Sequence, residues 1–125
     1  MIFGIGTDIA AVARLTELYE RHDQRGIEKL LAPAERADCV ASSEPGRFLA
    51  KRFAAKEAFG KALGTGIRAP VLLPAIAVAH DERGKPQFEF APELQAYLAA
   101  QNLHAHLSLS DERDYAIAFV VVEKT

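Results

Sequence analysis

The opening segment of this chain is built to let something come very close to it. Residues 2–9 alternate as a strand, with Phe3, Ile5, Thr7 and Ile9 on one face and Ile2, Gly4, Gly6 and Asp8 on the other. Two glycines strip the second face of side chains. That weakens a strand, and it marks the close approach of either another backbone or a ligand. Asp8 stands at the end of the cleared strip.

The rest of the chain alternates between helical and extended patterns. Val12, Leu15, Leu18 and Tyr19 predict a helix from Ala11 to about His22, broken by Gly26. A short helical piece, Ile27–Leu31, precedes Pro33, which can open a helix over residues 34–40. After a loop at residues 42–46, a long helix runs from about Arg47 to Leu63 and stops at Gly64-Thr65-Gly66. Strands follow at 71–80 and 86–90 around a glycine-containing connection, then a helix from Pro92 to near Asn102. His104–Ser110 and Tyr115–Glu123 form the last strand pair. Residues 117–122 are apolar on both faces, as expected of a strand that is central or at a subunit contact. With 125 residues and no repeats or linkers, the expectation is an α+β fold. Residues 1–125 make a single domain in it, an antiparallel sheet packed with one long helix and shorter ones.

Charge and composition remove several function classes. A formal net charge of −2 argues against general nucleic-acid binding. No apolar stretch approaches the ~20 residues of a membrane span, and no secretory signal is visible at the start. Cys39 is the only cysteine, which excludes an intrachain disulfide and a cysteine-rich zinc site. A reducing cytoplasm is the expected setting. His104, His106, Ser108 and Ser110 share one strand face, but no third ligand accompanies the histidines, so zinc is not expected there. That face either lines a cleft or meets water.

The long helix and its stop hold five cations, Arg47, Lys51, Arg52, Lys56 and Lys61, and one acid, Glu57. This is either a solvated basic surface with an i,i+4 Glu57–Lys61 pair, or an anion-binding wall with one acid set inside it. Magnesium commonly takes one or two carboxylates together with phosphate oxygens and water, and Asp8 is the natural partner for Glu57. Two glycine-containing segments do not support nucleotide binding of the usual kinds. Gly4-Ile5-Gly6-Thr7-Asp8-Ile9 lacks a third glycine, and Lys61 precedes its glycine pair.

Taken in order, five segments carry a resemblance. They are Gly4-Ile5-Gly6-Thr7-Asp8-Ile9 with Arg14, Arg52-Phe53-Ala54-Ala55-Lys56-Glu57-Ala58 with Lys61, Gly64-Thr65-Gly66, Gly84-Lys85-Pro86, and His106-Leu107-Ser108-Leu109-Ser110. Together they resemble the holo-acyl-carrier-protein synthases, the short stand-alone branch of the 4′-phosphopantetheinyl transferases, over nearly the full length. The resemblance implies transfer of 4′-phosphopantetheine from coenzyme A to a serine of apo-acyl carrier protein in fatty acid biosynthesis, with release of adenosine 3′,5′-bisphosphate. It implies magnesium on Asp8 and Glu57, with Asp8, Glu57 and Lys61 as catalytic groups; the general base is Glu57 or a metal-bound water. Coenzyme A contacts fall on Arg52, Lys61, Gly64, Thr65, Gly66, Lys85, Pro86 and His106. The carrier protein docks on Arg14, Arg21 and Arg25, and the chain assembles as a homotrimer with sites at subunit boundaries. Asp111 departs from the histidine that many relatives have there, so no second imidazole has a role at that point.

Overall fold

The computed structural model describes residues 1–125. The glycine strip decides how its two principal elements meet. Strand β1 (Ile2–Ala11) lies against helix α4 (Pro45–Leu63), and the neighbour that the glycines admit is the helix backbone. A Cβ on Gly4 would run into the Ala62 carbonyl oxygen, and one on Gly6 into the Ala58 carbonyl oxygen. Ala54, Ala55 and Ala58 continue the small surface on α4, all fully buried.

β1 is an edge strand. It pairs antiparallel with β5 (Tyr115–Lys124), which pairs antiparallel with β4 (Leu103–Asp111), giving the order β1-β5-β4. The strand that is apolar on both faces is therefore central. Ala116, Ala118, Val120 and Val122 point to α4 and are fully buried, while Tyr115, Ile117 and Phe119 are exposed on the other side. A second sheet is the antiparallel hairpin β2 (Ile76–His80) and β3 (Pro86–Phe90). Phe88 and Phe90 close on Phe59 of α4, with ring centroids 5.2 and 5.0 Å away. Asp81 shapes the connection, its Oδ1 accepting from the N–H groups of Arg83 (2.8 Å) and Lys85 (2.9 Å), and Gly84 takes positive φ.

The remaining helices are α1 (Val12–Arg21), α2 (Gln24–Glu28), α3 (Pro33–Ala41) and α5 (Pro92–Ala100). α1 crosses α4 where Gly46 leaves room for Thr16. Pro33 and Pro92 occupy first helical turns, where a missing N–H costs nothing. Gly64 ends α4 at φ 79°, and the Gly66 N–H folds back onto the Gly60 carbonyl (3.1 Å). The helical piece expected at Ile27–Leu31 lies instead at Gln24–Glu28, with Gly26 inside it, because the Asp23 carboxylate caps the Gly26 N–H (2.9 Å). A second expectation is shortened. The strand expected over 71–80 begins at Ile76, because Pro74 lies in a 3-10 turn, Leu73–Ala75, whose proline cannot donate to a ladder.

Gly6→Ala is expected to destabilise the protein by about 3 kcal/mol, because the clash is with backbone and no rotamer relieves it. A urea midpoint within error of the parent would show that α4 can lift off β1 without loss.

Candidate active site

Asp8 follows Gly4 and Gly6 on the α4 side of β1, with its side chain 18 % exposed. Lys61 comes from the last turn of α4, and its Nζ donates to Asp8 Oδ1 and to the Thr7 carbonyl, both at 3.0 Å. An ammonium has three donors, so one remains for a ligand. Glu57 lies one helical turn before Lys61 on the same face of α4. It is half-buried, and the i,i+4 pair expected from spacing does not form, because Lys61 is drawn to Asp8 instead. Neither Glu57 carboxylate oxygen nor Asp8 Oδ2 accepts a hydrogen bond from the protein. No group of three or more metal-ligating side chains gathers anywhere. Two carboxylates with free oxygens, and no further protein donors, suit a hard cation that completes its shell with phosphate oxygens and water. They do not suit zinc. Gly64, Thr65 and Gly66 form the turn just past Lys61, and the Thr65 hydroxyl donates to the Gly66 carbonyl (2.8 Å).

Three other residues singled out in the sequence come together elsewhere. Lys85, Pro86 and His106 line a cleft of about 270 Å³ between β3 and β4, with Asp81 at its rim. His106 Nε2 lies 2.8 Å from Glu123 Oε1, and that hydrogen bond holds the Glu123 carboxyl below its usual range. His106 projects from the open face of the sheet: it pairs in register with Val121, which pairs with Ile5 of β1. Asp8 projects from the opposite face. Within one chain the Asp8 and His106 side chains therefore lie on opposite faces of the sheet, while the cleft itself runs along the β4 edge, where Ala105 and Leu107 also line it.

The cations of α4 do not make one continuous wall. Arg47 donates to Asp111 Oδ2 (3.0 Å) and to the carbonyls of Glu112 (2.6 Å) and Arg113 (2.8 Å), clamping the turn between β4 and β5. Lys51 also reaches Asp111, at 3.8 Å. Asp111 thus anchors two cations. Arg52 is only 8 % exposed, with its guanidinium 3.9 Å from the Phe48 ring centroid and its Nε 3.5 Å from Glu35 Oε2. Arg47, Lys51 and Arg52 line a shallow basin with Ser42 and Ser43. The sequence set all three in one cationic wall and gave a coenzyme contact to Arg52 alone. Lys56 is fully buried and belongs to no surface.

On the remaining surface, Arg14 lies over Phe53 (6.0 Å), Arg21 pairs with Glu17 (2.7 Å), and Arg25 lines a polar shelf with Lys29 and Arg36. Glu28 shares that shelf, and Lys29 and Arg36 are cations the sequence reading did not name. Burial keeps the Cys39 thiol above its usual value, consistent with an inert core residue.

The model of the 4′-phosphopantetheinyl transferase superfamily matches residues 4–120. The chain belongs to this superfamily. A holo-[acyl-carrier-protein] synthase of Dechloromonas aromatica is 60% identical over 123 residues, covering 98% of each chain. The crystal structure of holo-[acyl-carrier-protein] synthase from Neisseria meningitidis superposes with a TM-score of 0.94 at 46% identity, covering 99% of this chain and 100% of that one. The Bacillus anthracis enzyme, solved in complex with CoA (3′,5′-ADP), gives a TM-score of 0.83 at 35% identity, with 100% and 99% covered. The α+β architecture with antiparallel sheets is the architecture of this superfamily of transferases.

His80 is a proton-sensitive point beside the basic basin. Burial, and next the charges of Arg52 and Lys51, push its pKa below the ordinary 6.5, while Asp81 opposes. Below 6.5 the unfolded chain then binds more protons at this site than the folded one, so the His80 contribution to stability is lost as pH falls through that window. In an NMR titration His80 should show a midpoint below 6.5 that moves up in Lys51→Ala. A parent midpoint at or above 6.5 would contradict this electrostatic picture.

Proposed function

We propose that this protein transfers 4′-phosphopantetheine from coenzyme A to a serine of an apo-acyl carrier protein, releasing adenosine 3′,5′-bisphosphate. The observation that carries the reading is the Lys61 ammonium set on Asp8, with Glu57 one turn before it and unpaired. The reading extends to fatty acid biosynthesis in the cytoplasm, the setting that the family's activity implies. Asp8 and Glu57 would hold magnesium, which supplies Lewis-acid neutralisation of phosphate charge when bound. Lys61 directs its free proton at the oxygen that leaves with the adenosine bisphosphate, and its two fixed contacts hold it there without reorganisation. Arg52, Lys85, Pro86, His106 and the Gly64-Thr65-Gly66 turn bind the coenzyme.

A homotrimer with sites at subunit boundaries is part of the reading. Ile5, Ile9, Tyr115, Ile117 and Phe119 share the open face of the sheet and are 43 to 60 % exposed. An apolar patch of this kind calls for cover. In such an assembly the Asp8 site of one copy would sit beside the His106 cleft of the next. Arg14, Arg21 and Arg25 form the docking strip for the acidic carrier.

Incubation of apo-carrier with coenzyme A and magnesium should add the mass of one phosphopantetheine; a pure binder adds none. Asp8→Ala or Glu57→Ala is expected to lower kcat by about 10³-fold with an unchanged circular dichroism spectrum. Normal turnover at ample magnesium would reject the metal site. Arg14→Glu should raise the KM for the carrier and leave that for coenzyme A alone; unchanged constants would remove α1 as the docking surface. Phe119→Arg should convert a trimer seen by sedimentation into monomers and abolish transfer. An active monomer would rule out shared sites.

A further inference from the structure

Lys56 immediately precedes Glu57, yet it points into the core with no exposure. All three donors of its ammonium are spent: on Glu35 Oε1 (2.7 Å), the Leu30 carbonyl (2.8 Å) and the Leu73 carbonyl (3.1 Å). Glu35 is 3 % exposed, and it accepts from the Ala32 N–H and the Val78 N–H, each at 2.9 Å. One ion pair thus ties α4 to the segment after α2, the start of α3, the 3-10 turn and β2. Burying two charges costs several kcal/mol apiece, and an apolar pair of similar volume often stabilises as well or better. Stability alone is a poor account of it.

The opposite side of α4 explains what else the pair does. There the helix rests on the backbone at Gly4 and Gly6, with Val120 and Val122 of β5 beside them. The glycines set the spacing between helix and strand, and the roll of the helix about its axis is fixed by what grips it elsewhere, Lys56 among these grips. With side chains about 6 Å from the axis, a roll of about 10° displaces a side-chain end by about 1 Å. A misplacement of that size can cost about 10²-fold in rate. We propose that the buried Lys56–Glu35 pair is a positioning device that sets the roll of α4, and with it the placement of Glu57 and Lys61 against Asp8. The proposal rests on the reading of Asp8 and Glu57 as the metal-holding acids.

Two variants test it: Lys56→Met, which keeps the volume but strands the Glu35 carboxylate, and Lys56→Met with Glu35→Gln, which removes both charges. Three quantities are followed: the urea midpoint, kcat and KM for coenzyme A, and Mn²⁺ affinity by electron paramagnetic resonance with coenzyme A present. Positioning predicts that the double variant is more stable than the single one, by an amount limited because one of the Ala32 and Val78 N–H groups loses its acceptor. The double variant's kcat stays down about 10²-fold and its Mn²⁺ affinity stays down about tenfold, while any change in KM for coenzyme A reports on Arg52, which loses Glu35 as its acid. If kcat and Mn²⁺ affinity return together with stability, the proposal is wrong. If neither variant folds, the pair is a core staple and the positioning role is withdrawn. A parent protein that binds Mn²⁺ through Glu57, losing it in Glu57→Ala, but makes no holo-carrier would overturn the function and leave the positioning role to be judged on metal affinity.

Discussion

The contact between the α4 backbone and the two glycines of β1 governs the architecture around the candidate site. It brings a helix and a strand closer than side chains would allow, so that Lys61 can span from one to the other and still have a proton to spare. Alanines on α4 and on β5 continue the same thin interface, and larger residues are pushed to its borders, where Phe59, Phe88 and Phe90 cluster. A thin interface has a chemical use. It keeps Asp8 near the helix that carries the other charged groups, on a frame too crowded to relax.

Around α4 the positive charges have divided their work. At the N-terminal end Arg47 and Lys51 hold the β4–β5 turn through Asp111; in the middle Arg52 and Lys56 share Glu35; at the C-terminal end Lys61 meets Asp8. Each cation has an acid within reach, and each acid comes from a different part of the chain. The helix acts as an axle to which separate segments are fastened, and the charge left over at either end is what a phosphate-bearing ligand would meet.

Much of this was legible beforehand. Strand and helix periods located nearly all the elements, since the apolar spacing is regular and proline or glycine marks most boundaries. The glycine face was recognisable as a place of close approach, with backbone or ligand left open; the choice needed the helix to be seen lying there. The doubly apolar final strand proved central. What could not be read was the fate of individual charges. Lys56 looks like any lysine in a basic helix, because nothing local says that Glu35, far away in sequence, will neutralise it in the core. Spacing matched Glu57 with Lys61, but a strand acid outside the helix competes for that ammonium and wins. The strand expected from Val71 starts late because Pro74 directs a turn that hydrophobicity alone does not reveal.

The strand bearing Asp8 has a single ladder partner, and that partner is β5, at the other extreme of the chain. Met1 and Lys124 even exchange hydrogen bonds, each N–H to the other's carbonyl. A ribosome delivers the first strand more than a hundred residues before its mate. Until then helices can form locally, but the sheet edge waits unpaired and Asp8 has no fixed address. The setting of Asp8 is therefore finished only when the last strand arrives to close the sheet.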